Sequence, residues 1–172
     1  MSNAKTLEEG LKKARKIAFE HVKQCLMDAC DDLVDHAIHA KYGWQNFTGN
    51  TITSYAIGLF IDGKFVYYYS NNGIKPPVRV KLKKGETVFL NPDYDGRSRS
   101  FTGIIDTDAG YGEPFSFEFL KSYKSHTKGI ELVMCTGTEY SNYIETVRNG
   151  NVLTETFKNA QSILSANFKP MN

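Results

Sequence analysis

From Leu7 onward apolar residues return every three or four positions: Leu11, Ala14, Ala18, Val22, Cys25, Ala29, Leu33 and Ala37 follow in turn. That spacing lays one stripe along a helix and predicts a single rod from Thr6 to about Tyr42. Thr6-Leu7-Glu8-Glu9 has the form of a capping box at its start. Gly43 can take the left-handed conformation that ends it. Such a rod would be roughly 50 Å long, more than the diameter of a small domain. One end should therefore overhang its own core and meet a neighbour.

The period then changes from helical to two. Tyr55, Ile57, Leu59 and Ile61 alternate with Ser54, Ala56, Gly58 and Phe60, predicting a strand over Ser54–Ile61 with one buried face. Asp62-Gly63 is a strong signal for a two-residue hairpin turn, because both of its central positions need positive φ. Lys64–Tyr69 is the returning strand. Further on, Gly129–Thr136 is nearly continuous apolar sequence and reads as a central strand. Thr138–Glu145 suggests a helical turn or two, and Asn149-Gly150 a turn. Leu153, Phe157, Ala160 and Leu164 share one face of a closing helix over Val152–Asn167, which Pro170 prevents from continuing.

Between these blocks, residues 70–128 are crowded with turn signals: Asn71-Asn72-Gly73, Pro76-Pro77, Asn91-Pro92 and Asp95-Gly96. They predict short strands and no helix. Val78, Val80 and Leu82 form one strand with Thr87–Leu90 as its return, and Phe115, Phe117 and Phe119 alternate as another. The fold class is α+β: a long N-terminal helix and a C-terminal helix packed on a mainly antiparallel sheet, with a β-rich insertion between strands. Residues 1–172 form one domain, with its core in 6–69 and 129–168 and the insertion in 70–128. On that division Asn91–Glu113 should be dispensable for folding.

Composition narrows the function classes. A net charge of +2 without a basic block argues against nucleic-acid binding as the main task. Cys25, Cys30 and Cys135 are odd in number and lack CxxC spacing, so reduced, buried thiols in a cytosol-made protein are expected. No signal-peptide pattern or membrane-length apolar run stands in the sequence, so the expectation is a soluble chain without a membrane partner.

Candidate chemistry is sparse. The chain has no GxSxG, HExxH, P-loop or GxGxxG pattern, and the reading assigns no catalytic residue and no cofactor. A nucleophilic Cys135 would need His21, His36, His39 or His126, and it sits in a strand that reads as buried. The long helix carries Asp28, Asp32, Asp35 and His39 on one face, with Asp31 and His36 beside them. Asp32, Asp35, His36 and His39 are the candidates for a divalent metal. The alternative is a solvated face with Asp32–His36 and Asp35–His39 as ordinary i,i+4 pairs, since one helix cannot enclose an ion. Residues 91–102 resemble a calcium loop only superficially, with Asn91 and Thr102 at the two positions that require acids. Tyr67, Tyr69, Tyr140 and Tyr143 are better suited to core and subunit-interface packing than to stacking on sugars or bases. The basic tip at Arg97 and Arg99 reads as a solvated loop more readily than a phosphate contact; all six are the candidates for an interface.

Three features in order resemble the tail-completion and neck proteins of tailed bacteriophages, also described as head–tail joining or minor tail proteins. They are the long amphipathic helix, the run Thr48-Gly49-Asn50-Thr51-Ile52-Thr53-Ser54-Tyr55 entering the first strand, and Gly137-Thr138-Glu139-Tyr140-Ser141-Asn142-Tyr143-Ile144-Glu145 before the closing helix. The match covers about residues 6–69 and 129–168. Ile52 and Ser141 stand where that family usually has Leu and Ala, and the middle segment is longer. The resemblance implies a non-enzymatic virion protein, made in the bacterial host cytoplasm and placed at the neck or tail. Copies would form a homo-oligomeric ring between neighbouring neck, portal-adaptor or tail proteins, with DNA only passing through the channel. The rival readings from the residues are a small metal-dependent hydrolase using the Asp/His face, and a carbohydrate- or peptide-binding module using the tyrosines.

Overall fold

A computed structural model of the chain describes residues 3–39, 50–70, 83–90, 99–103, 112–139, 141–147 and 150–171. The first element, α1, is one unbroken helix over Asn3–His39, about 55 Å long. Thr6 and Glu9 lie inside it, so the expected capping box does not start the helix. The expected end at Tyr42 and Gly43 lies outside the described residues. A short helix, α2 (Asn50–Ser54), leads into the first strand and takes in Ser54, expected as that strand's first residue.

Strands β1 (Tyr55–Ile61) and β2 (Lys64–Ser70) form the expected antiparallel hairpin. Asp62 and Gly63 both have positive φ, 50° and 76°, as the tight turn demands. Val66 is an extra residue on β2: Leu59 faces Tyr67 while Phe60 faces Phe65. Such a bulge sharpens the local twist. Strand β5 (Ile130–Thr136) pairs with the other edge of β1, so the sheet order is β2-β1-β5. The centre of the sheet is therefore β1, and Gly129–Thr136 forms an edge, contrary to the sequence reading. Asp62 locks the hairpin tip to that edge by donating its backbone N–H to the Gly129 carbonyl and accepting the Gly129 N–H on its carboxylate.

The insertion holds a small ladder, β3 (Thr87–Leu90) against β4 (Arg99–Thr102). Thus Thr87–Leu90 pairs forward with β4; the Val78–Leu82 strand expected as its partner lies outside the described residues. The strand expected at Phe115–Phe119 is instead a helix, α3 (Gly112–Ser122). Gly112, Ser116 and Leu120 are its buried positions, one turn apart each, while Phe115 and Phe119 are about half exposed. Four-residue spacing of small and apolar groups outweighed the alternation of phenylalanines.

This helix changes the architecture. Tyr55, Ile57 and Leu59 of β1 join Leu26, Cys30, Leu33 and Val34 of α1 in one core cluster. Ala56 and Phe60, on the opposite face, pack with Leu120 of α3, and Phe65, Tyr68 and Val133 adjoin them. Both faces of β1 are buried, not one. Gly112 and Glu113, which the sequence assigned to a dispensable segment, belong to the helix that covers the second face. The last helix, α4 (Val152–Asn167), has the expected bounds and packs beside α1. Its inner stripe is Val152, Leu153, Thr156, Ala160, Ile163 and Leu164. Phe157, expected on that stripe, is 82% exposed. The fold is α+β, with the long N-terminal and C-terminal helices on an antiparallel sheet.

Candidate interaction site

The acidic ridge of α1 is committed to the chain's own strands and helices. Tyr67 on β2 donates its hydroxyl to Asp31 at 2.6 Å. Burial holds the Asp31 carboxyl above the usual range; the Tyr67 bond pulls it down, and Asp28, Asp35 and Asp32 push it up. Burial likewise raises the Tyr67 phenol, and the Asp31 bond and charge add to the effect. Tyr69 is raised by burial first and by Asp35 next. On the other face Tyr68 donates to Glu113 at 2.6 Å, and Ser70 donates to the same oxygen. The three tyrosines therefore staple β2 to α1 on one side and α3 on the other. Tyr67 and Tyr69, candidates for subunit contacts, are partly buried against the core of their own chain.

The metal candidates do not converge. Asp32 accepts the amide of Asn167 at 2.7 Å. His36 lies 3.2 Å from the Thr156 hydroxyl through Nδ1, and His39 donates Nδ1–H to the Asp35 carbonyl. Asp35 is held by Tyr69. Among the described residues no group of three or more His, Cys, Asp or Glu is placed to hold a metal ion. Nor is the ridge simply solvated, because three of its members bond to β2 and α4. Burial pushes the Cys30 thiol up to about 12 and the Cys135 thiol up to about 11, which keeps both protonated near neutrality.

The two short runs quoted for the family resemblance come together. Ser54, ending α2, lies 2.6 Å from the Thr136 hydroxyl, which meets Ser141 at 3.0 Å; Thr138 bonds Ser141 in turn. Ser116 of α3 donates to the Ser54 carbonyl. The chain comes so close here that a Cβ on Gly137 would lie 2.0 Å from the Gly112 carbonyl oxygen. Glu145, in a π-helical turn over Tyr143–Val147, accepts the Val152 and Thr154 N–H groups, each at 2.8 Å. It caps α4 from seven residues upstream, because the Asn151 side chain at the cap position makes no capping bond. Among the described residues of these runs, the Ser54, Thr138 and Ser141 hydroxyls and the Glu145 carboxylate are bonded within the fold. Sequence reasoning missed Ser116, Glu113 and Glu145, whose partners are set by the tertiary fold.

What the surface does offer is apolar. The bond nearest the N-terminus that ties α1 to the rest of the chain, among the described residues, runs from His21 to the Lys169 carbonyl at 2.8 Å. From there α1 continues to Asn3, about 27 Å farther. Every residue from Lys5 to Ile17 is exposed, including Leu7 at 66%, Leu11 at 53% and Ile17 at 56%. Phe157 and Phe168 are exposed apolar residues that line a shallow groove beside α4 with the partly buried Ala160 and Leu164. Of the other candidates, Tyr143 is half exposed. Arg99 opens β4 opposite Leu90, and Arg97 and Tyr140 lie outside the described residues.

Comparison with protein-family models, curated proteins and solved structures finds no match. Among the described residues no helix is long and apolar enough to cross a membrane.

Proposed function

We propose that this chain is a non-enzymatic structural protein of a tailed-bacteriophage or prophage particle, one copy of a ring at the neck or tail-completion end. The observation that carries the reading is the overhang of α1. A helix about 27 Å past its last tie, with leucines and an isoleucine exposed along it, is stable in water chiefly when another chain covers that face. The family resemblance supplies the setting: the same long helix, and two runs that the fold uses as a hydroxyl-bonded junction and a helix cap. The acidic ridge supports it too, since its carboxylates brace α1 against β2 and α4. Copies would contact one another and the neighbouring neck, portal-adaptor or tail proteins, with DNA passing through the channel.

Deleting the gene from a phage or inducible prophage that carries it should leave filled heads and separate tails. Mass spectrometry of purified virions should find the chain in the whole number of copies a ring requires. Infectious particles formed at normal yield without the gene, or virions lacking the chain, would refute the reading.

A further inference from the structure

We infer that the α1 overhang pairs with the same segment of a second copy, antiparallel, about a two-fold axis beside Lys12 and Lys13. The inference rests on the overhang being an assembly surface and adds its partner. Leu7, Leu11, Ala14 and Ala18 step by four, three and four residues, the seam of a two-stranded coil. The large residues occupy the outer half of that seam and the small ones the inner half. In an antiparallel pair centred between residues 12 and 13, Leu7 meets Ala18 of the second copy and Leu11 meets Ala14. Each bulky side chain faces a small one, so the helices approach evenly along the seam.

The flanks agree. On one side of the seam Glu8 meets Arg15 of the second copy, twice over by symmetry; on the other, Ile17 meets Gly10. Charge, bulk and small residues are matched at every flanking position by one choice of axis. A parallel pair fails the same test: it sets leucines against leucines at one end and alanines against alanines at the other. It also places Arg15 against Gly10 and Glu8 against Asn3, with no ion pair. The lysines of this segment, Lys5, Lys12, Lys13 and Lys16, sit off the seam. Residues 5–17 are exposed throughout and Ala18 is only partly buried, so the seam is open among the described residues. The contact is isologous and closes with two copies, so a ring needs a different surface for its head-to-tail contacts. The α4 patch around Phe157 is free for that among the described residues.

Sedimentation equilibrium on the intact protein tests the pairing. The parent chain should be in monomer–dimer equilibrium, and Leu11→Asp should be monomeric. Glu8→Arg and Arg15→Glu should each weaken the dimer about tenfold by setting like charges opposite. The double variant, Glu8→Arg with Arg15→Glu, should return to within about threefold of the parent, because the swapped charges meet again across the axis. Thermal melts of all four variants should match the parent at concentrations where it is monomeric, since the altered residues are exposed among the described residues. A monomeric parent, single variants with unchanged affinity, or a double variant no tighter than the singles would overturn the pairing. A monomeric parent found in virions would overturn the pairing alone. A dimeric parent absent from virions would overturn the particle reading alone.

Discussion

The two halves of α1 carry similar apolar spacing, but among the described residues only one finds cover. In residues 21–39 Cys25, Leu26, Ala29, Cys30, Leu33, Val34, Ala37 and Ile38 are buried under β1 and α4, and the acids between them bond to Tyr67 and Asn167. In residues 5–20 every position but Ala18 is exposed. Residues 21–39 are held by their own fold, whereas residues 5–20 stay exposed among the described residues. Periodicity shows that a face is apolar; only the length of the core beneath it shows whether that face is satisfied internally. Here the core ends near His21, and the pattern does not.

The sharpest way to break this comparison is to remove the same side chain from each half. Leu33→Ala should cost about 2–5 kcal/mol in urea denaturation, through lost burial and a residual cavity. Leu11→Ala, measured where the chain is monomeric, should stay within about 0.5 kcal/mol of the parent. Equal losses would mean that the overhang is packed after all. A smaller effect tests the cover over residues 21–39: Glu145→Gln should cost about 1 kcal/mol by weakening the cap on α4. Its signature would be earlier amide exchange in the first turn of α4.

The bond between Asp31 and Tyr67 gives two pH tests. The folded-state phenol is raised, so its contribution is complete below its ordinary value of 10.0 and is lost as pH rises beyond that. Tyr67→Phe should cost about 1 kcal/mol near neutrality and should flatten the parent's loss of stability above about pH 10. Asp31 runs the other way relative to most acids. Its folded pKa is raised, so the parent loses stability as pH climbs from the ordinary 3.8 through the folded value. Asp31→Asn, which can still accept from Tyr67, should remove that slope. A parent whose stability rose through this window more steeply than the variant's would contradict the assignment.

Much of the fold was legible because its signals are local. Asp62-Gly63 with alternation on either side specifies a hairpin, and Val152–Asn167 ends where its periodicity and Pro170 require. What was not legible depends on distant chain. Ala56, Gly58 and Phe60 look like a minor face until α3 is placed over Ala56 and Phe60. Phe115, Phe117 and Phe119 alternate like a strand, while the quieter Gly112, Ser116 and Leu120 carry the buried face of a helix. Phe157 has the right spacing to face inward, but Thr156 occupies the place against His36. The acidic ridge looked like a solvated face or a metal site because its partners, Tyr67 and Asn167, lie 36 and 135 positions away. The exposed overhang, in contrast, was visible in the length of one stripe.

Amide hydrogen exchange resolved along α1 at several protein concentrations tests the central claim most directly. Amides in residues 22–39 should be strongly protected at every concentration, because the core holds them. Those in residues 7–20 should exchange rapidly in dilute protein and gain protection as concentration rises. Protection that is equal in the two halves and independent of concentration would contradict the account.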